Sequence, residues 1–260
     1  MPKFSHDDVE IAFLDEGEGP PVVLVHGFAS NKMVNWVYTG WVAALTGAGR
    51  RVIAMDNRGH GDSTKLYDPR AYHSATMAED VCALLDYLRL PCSDVIGYSL
   101  GARITAFLAL VHPERVRAGV LGGLGMGLVD GVGDPEGIAR ALEAPALAEV
   151  SDPGGHMYRA FAEKTHSDLR ALAACIRGVR QTLSRDDVGR ITVPLLIAVG
   201  ANDSIAGSPN ALAALIPRGE AFTIPGRDHM LAVGDRRFKA AALNFLAREH
   251  AEGNSSIEPA

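Results

Sequence analysis

Short, largely apolar runs separated by helical stretches constrain this chain more than any other feature. Residues 21–25, 51–55, 94–98, 116–121 and 194–199 are each too short for a helix and too apolar to show a face to water. Such runs read as strands buried on both faces, as in a parallel sheet covered on each side by helices. Residues 9–14 and 221–224 add further strand candidates, the first stopped by the turn-rich Glu16-Gly17-Glu18-Gly19-Pro20. Helical spacing falls between them, over 36–48, 100–111, 209–216 and 236–248. Another helix carries Val81, Leu84, Leu85 and Leu88 behind a capping box of Thr76 and Glu79. Strand and helix in alternation give an α/β fold, in which ligand sites collect at the carboxyl ends of the strands.

One stretch breaks the alternation. Residues 125–187 show no strand signal, only short helical pieces interrupted by Gly-Asp-Pro, Glu-Ala-Pro and Asp-Pro-Gly-Gly turns. At ~60 residues it far exceeds an ordinary α/β connection and reads as a helical cap set into the fold. The expected division is a core of 1–124 and 188–250, a helical lid of 125–187, and a polar, flexible tail of 251–260.

Composition removes several function classes. Of 260 residues, 47% are hydrophobic and 22% charged, the balance of a globular chain with a large core rather than a disordered one. A net charge of −6 leaves no electrostatic footprint for nucleic acid. No run approaches the ~18 apolar residues of a membrane span. His6, Asp7, Asp8 and Glu10 stand where a secretory signal needs an apolar core, so a cytoplasmic location is expected. Cys82, Cys92 and Cys175 stand singly, without the spacing of a disulfide framework or a zinc site. No His, Asp or Glu cluster has metal-ligand spacing, and Gly122-Gly123-Leu124-Gly125 lacks the fingerprint of a phosphate loop, so neither metal nor cofactor is expected.

The residues that carry chemistry lie just past strand ends. Gly97-Tyr98-Ser99-Leu100-Gly101 has the spacing G-x-S-x-G, with a strand before it and a helix after it. A serine on so sharp a turn projects its hydroxyl above the sheet, and the flanking glycines remove side chains that would collide. A serine hydroxyl is a poor nucleophile until a base, itself held by a carboxylate, takes its proton. Asp203 follows the strand at 194–199, and His229 follows the strand at 221–224. Nucleophile, acid and base thus come in the chain order Ser99, Asp203, His229. Asp228 adjoins His229, and adjacent side chains diverge, which makes Asp203 the better orienting acid.

With His26-Gly27-Phe28-Ala29, Asp56-Asn57-Arg58-Gly59-His60-Gly61, Asn202-Asp203 and Asp228-His229, these residues resemble the α/β-hydrolase fold superfamily over nearly the whole chain. The nearest likeness is to cofactor-free, carboxylesterase-like serine hydrolases with a small helical cap. That resemblance implies a mostly parallel sheet of about eight strands and an oxyanion hole from the backbone N–H groups of Phe28 and Leu100. It gives His26 the ordering of the oxyanion loop and His60 a structural place, and Asp56 and Arg58 are expected to pair within their loop. Dehalogenases and epoxide hydrolases of this fold carry an aspartate at the nucleophile position, whereas serine implies an acyl-enzyme.

The expected substrate is a small or medium, apolar carboxylic ester, with Phe28, Trp36, Met126 and Met230 as candidate lining and Met157 and Tyr158 near them. Two alternatives stay open. One is carbon–carbon bond hydrolysis or perhydrolysis on the same triad, the former needing a pocket cation such as Lys32 or Arg103. The other is a binding or sensor protein that keeps the scaffold. The oligomeric state is not encoded in any motif.

Overall fold

The computed structural model describes residues 1–255, and in it the apolar runs form the centre of a single sheet. The strands are β1 (Lys3–His6), β2 (Val9–Glu16), β3 (Pro21–Val25), β4 (Arg51–Met55), β5 (Ser93–Tyr98), β6 (Val116–Gly122), β7 (Leu195–Gly200) and β8 (Gly219–Ile224). Among the described residues they lie in the order β1-β2-β4-β3-β5-β6-β7-β8. β3 to β8 pair in parallel, whereas β2 is antiparallel to both β1 and β4. The chain steps from β3 outward to β4, then returns to place β5 on the other side of β3. At such a reversal of strand order the flanking loops part and leave a crevice above the carboxyl ends. His26 and Ser99, just past β3 and β5, stand on its edges.

Side chains alternate across each strand and feed two cores. Val23 and Val25 of β3 pack with α2 (Ser74–Tyr87) and α3 (Leu100–Val111). Val22 and Leu24 face the opposite layer, with Trp41 of α1 (Trp41–Gly47) and Phe238 and Phe245 of the last helix. Helices α4 (Gly127–Asp130), α5 (Pro135–Glu143), α6 (Pro153–Lys164), α7 (Leu169–Gly178) and α8 (Arg185–Gly189) follow one another between β6 and β7. Asp134, Asp152 and Asp168 cap α5, α6 and α7, each carboxylate accepting a first-turn N–H that the helix cannot satisfy itself. The chain closes with α9 (Pro209–Ala213) and α10 (Arg236–Ser255). No described helix is long and apolar enough to cross a membrane.

Several local expectations are corrected. β1 was not expected, because only Phe4 of its four residues is buried and a lone inward side chain leaves no pattern. The helix expected over 36–48 is two pieces, a π-helical turn Met33–Val37 and α1, parted at Gly40, whose φ of 79° no helix accommodates. α2 starts at Ser74 under the cap of His73, whose ring nitrogen accepts the Ala75 N–H at 3.2 Å, so Thr76 lies inside the helix. α9 stops short of residue 216. α10 runs to Ser255, so residues 251–255 of the expected tail are helical, and 256–260 lie outside the described residues.

Candidate active site

Ser99 sits between the last residue of β5 and the first of α3, at φ 53° and ψ −107°. A side chain there costs on the order of 1–3 kcal/mol and persists only where the surroundings impose it. The surroundings do so through two glycines. A Cβ on Gly97 would lie 2.2 Å from the Gly101 carbonyl oxygen, and one on Gly101 would lie 1.9 Å from that of Val25. Strand and helix therefore touch backbone to backbone, and the Ser99 N–H donates to the Gly122 carbonyl at 2.7 Å.

Asp203 and His229 reach the same point from β7 and β8. The Ser99 hydroxyl lies 3.0 Å from His229 Nε2, and His229 Nδ1 lies 2.8 Å from Asp203 Oδ2. A carboxylate only accepts, so Nδ1 carries the ring proton and Nε2 is left to receive one. Burial pushes the Asp203 carboxyl up, but the hydrogen bond and charge of His229 and the N–H groups of Ala206 and Ile205 outweigh it and hold it below its ordinary value. The acid stays ionised. Asp228 turns away and accepts the Leu231 N–H at 2.8 Å.

The base loop is stitched to distant parts of the chain. Tyr98 Oη donates to the His229 carbonyl at 2.5 Å, and Trp41 Nε1 donates to the Val233 carbonyl at 2.7 Å. Tyr98 occupies the variable position of the serine motif, and no sequence signal marks it as a support of the histidine.

The turn after β3 is fixed from several sides. Asn57 N–H donates to His26 Nε2 at 3.0 Å, so His26 Nδ1 is protonated and donates to the Gly27 carbonyl at 2.7 Å. Gly27 N–H is taken by Asn35 Oδ1 at 3.2 Å. A Cβ on Gly27 would lie 3.5 Å from Ser99 Cβ, which shows how closely the turn approaches the serine. Phe28 follows and borders the cavity beside Ser99 and Leu100. Leu100 opens α3, so its N–H is one of those a helix start leaves free. His60 packs edge-on against both His26 and Phe28, and burial, then the His26 charge, pushes it down to about 3.

Two cavities meet at Ser99 and His229. The larger, about 290 Å³, runs between Ser99 and residues of the helices between β6 and β7, among them Met157, Tyr158 and Ile176. The smaller, about 190 Å³, is bordered by Val34, Thr39, Phe161 and Met230. Phe28 and Tyr158 line both, their rings 5.7 Å apart. Of the expected lining, Phe28 and Met230 are present, and two residues are not. Trp36 is fully buried edge-on against Trp41 in the core beneath the sheet. Met126 is buried where its turn hydrogen-bonds to Ser208, and it borders neither cavity.

A family model described as the alpha/beta hydrolase fold matches residues 20–148. A solved hydrolase from Pseudomonas aeruginosa superposes with a TM-score of 0.78 at 27% identity, over 94% of this chain and 97% of that one. The chain belongs to the α/β-hydrolase superfamily. The non-heme chloroperoxidase CPO-A1 of Kitasatospora aureofaciens is 27% identical over 93% of this chain and 98% of its own length. Epoxide hydrolase B of Mycobacterium tuberculosis is 34% identical over 55% of this chain, but the match spans only 40% of that protein.

Other features of this α/β-hydrolase depart from the sequence reading. Asp56 and Arg58 do not pair. Asp56 accepts from Lys32 Nζ at 2.6 Å, and Arg58 forks onto Asp80 at 2.7 Å through both Nε and Nη2. Lys32 is thereby committed to Asp56 and Asp62, away from any substrate. Folding also gathers Glu79, Cys82 and His112 within 4.8 Å of one another, a grouping that no linear spacing foretells. Burial pushes the Cys82 thiol up to about 12, which favours the neutral thiol over a metal-binding thiolate.

Proposed function

We propose that the protein is a cofactor-free serine hydrolase that cleaves carboxylic esters through an acyl-enzyme. The observation that carries this reading is the unbroken hydrogen-bond chain Ser99–His229–Asp203 where the two cavities meet. Ser99 Oγ attacks the ester carbonyl carbon while His229 Nε2 takes its proton. The carbonyl oxygen, now negative, accepts from the N–H groups of Phe28 and Leu100. Preset donors of this kind are worth ~2.7–4 kcal/mol each. His229 then returns the proton to the departing alkoxide, which leaves as the alcohol. Water next attacks the acyl group, His229 takes its proton, and the acid leaves as Ser99 regains its hydrogen. The two cavities suit the two halves of an ester, and the helices between β6 and β7 serve as a cap that keeps bulk water from the first step.

Serine at position 99 favours acyl transfer over the chemistry named for the epoxide hydrolase relative. The chloroperoxidase relative favours a second reading, in which hydrogen peroxide replaces water in clearing the acyl group and releases a peracid. Incubation with p-nitrophenyl esters of graded length and with a fluorophosphonate probe tests the first reading. Turnover and covalent labelling that both vanish in Ser99→Ala support it. Equal labelling of the variant rejects it. Peracid formation on adding peroxide would select the second reading.

A further inference from the structure

The larger cavity holds two arginines that form no salt bridge among the described residues, the charge of Asp134 reaching Arg180 only from beyond contact. Arg103, only 4% exposed, and Arg180 both line it beside Ser99. Other buried cations of the chain have acidic partners: Lys32 with Asp56, Arg50 with Asp94, Arg58 with Asp80, and Arg159 with Glu163. Arg103 is held by neutral carbonyls alone, that of Gln181 and, at 3.4 Å, that of Gly127. Arg180 donates through Nε to Ile176 at 3.0 Å and through Nη1 to Val132 at 2.7 Å, both carbonyls. Its Nη2 is buried without a protein partner. A buried cation without an ionic partner, such as Arg103, is costly. Burial, and then the Arg180 charge, push Arg103 down to about 10.

The acids of the same cavity are placed elsewhere. Asp134 and Asp152 line its exposed edge and are engaged as helix caps, accepting from Glu136 N–H at 3.1 Å and Gly155 N–H at 2.6 Å. Arg103 thus lies deeper in the cavity than these two acids. Arg103 stands one turn along α3 from the serine, its N–H donating to the Ser99 carbonyl at 3.1 Å. Both arginines therefore border the same cavity as the Ser99 hydroxyl.

We propose that Arg103 and Arg180 form a carboxylate subsite, and that the preferred substrates are esters whose acyl half ends in a second carboxylate, such as monoesters of short dicarboxylic acids. This inference rests on the serine-ester reading above and narrows its substrate class. A planar carboxylate suits the guanidinium fork, which offers two parallel N–H donors.

The test compares mono-p-nitrophenyl glutarate with p-nitrophenyl butyrate in the wild type, Arg180→Met and Arg180→Lys. The wild type is expected to favour the charged ester. In Arg180→Met the ratio of kcat/KM, charged over neutral, falls about tenfold or more, mainly through KM, and Arg180→Lys restores part of it. Glutarate inhibits butyrate hydrolysis competitively in the unmodified protein, and glutaramide does not. This arm decides the matter even where a variant fails to fold. Hydrolysis of butyrate without preference for the charged ester, or without glutarate inhibition, overturns the subsite and leaves the serine-ester reading standing. Absence of turnover on both esters together with absence of fluorophosphonate labelling overturns that reading and the subsite with it.

Discussion

One wall of the larger cavity is made by strand ends and the other by the helices between β6 and β7, and the two hold their side chains differently. Ser99, His229 and Phe28 stand on backbone that is pinned by neighbouring backbone: the Gly97–Gly101 contact, the Ser99-to-Gly122 hydrogen bond, the Tyr98 bond to the histidine carbonyl. Met157, Tyr158 and Ile176 project from capped helices tied down through side chains, Arg159 donating to the Ala141, Leu142 and Ala144 carbonyls and Thr165 to that of Ala29. The first wall tolerates little displacement, which suits groups that must meet within hydrogen-bond reach. The second can be resurfaced without disturbing the sheet. On the serine-ester reading the reactive groups stand on the first wall, and the second adds to the choice of substrate made with Arg103.

Substitutions that erase the reactive wall should have the largest effect. Ser99→Ala and His229→Ala are each expected to lower kcat on p-nitrophenyl butyrate by at least ~10⁴-fold, with similar losses because triad members act as a unit. A nearly intact His229→Ala would move the base elsewhere. Next comes Gly97→Ala, whose new methyl would stand 2.2 Å from the Gly101 oxygen. It should cost about 3 kcal/mol in urea unfolding and depress turnover as the serine turn shifts. On the other wall Tyr158→Ala is expected to raise KM for apolar esters by about tenfold while kcat changes less. Loss of kcat as large as that of the triad variants would erase the contrast between the walls.

The smallest effect concerns pH. An unfolded histidine titrates near ~6.5, whereas His60 in the fold is pushed down to about 3. Between those values the unfolded chain binds a proton that the folded chain refuses, so stability falls as pH drops through this window. The slope is at most about 1.4 kcal/mol per pH unit. His26, lowered first by its burial, acts in the same direction. In His60→Phe the midpoint of thermal unfolding should depend less steeply on pH between about 6.5 and 5, as followed by circular dichroism. An unchanged slope would place the acid sensitivity in other groups.

The parts of this molecule that were legible in its sequence are those that local rules determine. β3, β4 and β5 are buried on both faces and could be read as apolar runs, and the positions of Ser99, Asp203 and His229 follow from a strand ending where a turn begins. The strand that carries Phe4 escaped because it earns burial at only one position. Asp56 and Arg58 were paired by proximity in the chain, yet each finds its partner more than twenty positions away, in Lys32 and Asp80. Trp36 and Met126 were placed in the cavity because apolar residues near strand ends could face either way, and packing against Trp41 and the turn at Ser208 settles the direction. Arg180 carries no sequence signal, since a lone cation on a helix-rich stretch has no pattern. Its neighbour Arg103 is a candidate pocket cation in the sequence, and only folding shows that neither forms a salt bridge among the described residues.

The indole bond from Trp41 to Val233 and the 2.5 Å bond from Lys239 Nζ to the Thr39 carbonyl join early and late parts of the polypeptide. During translation the hydroxyl of residue 99 leaves the ribosome long before its imidazole partner at 229, whose segment then docks on anchors at 39 and 41 that are already made. On the proposed reading, a growing chain therefore carries a serine without its base until nearly all of its core has been synthesised.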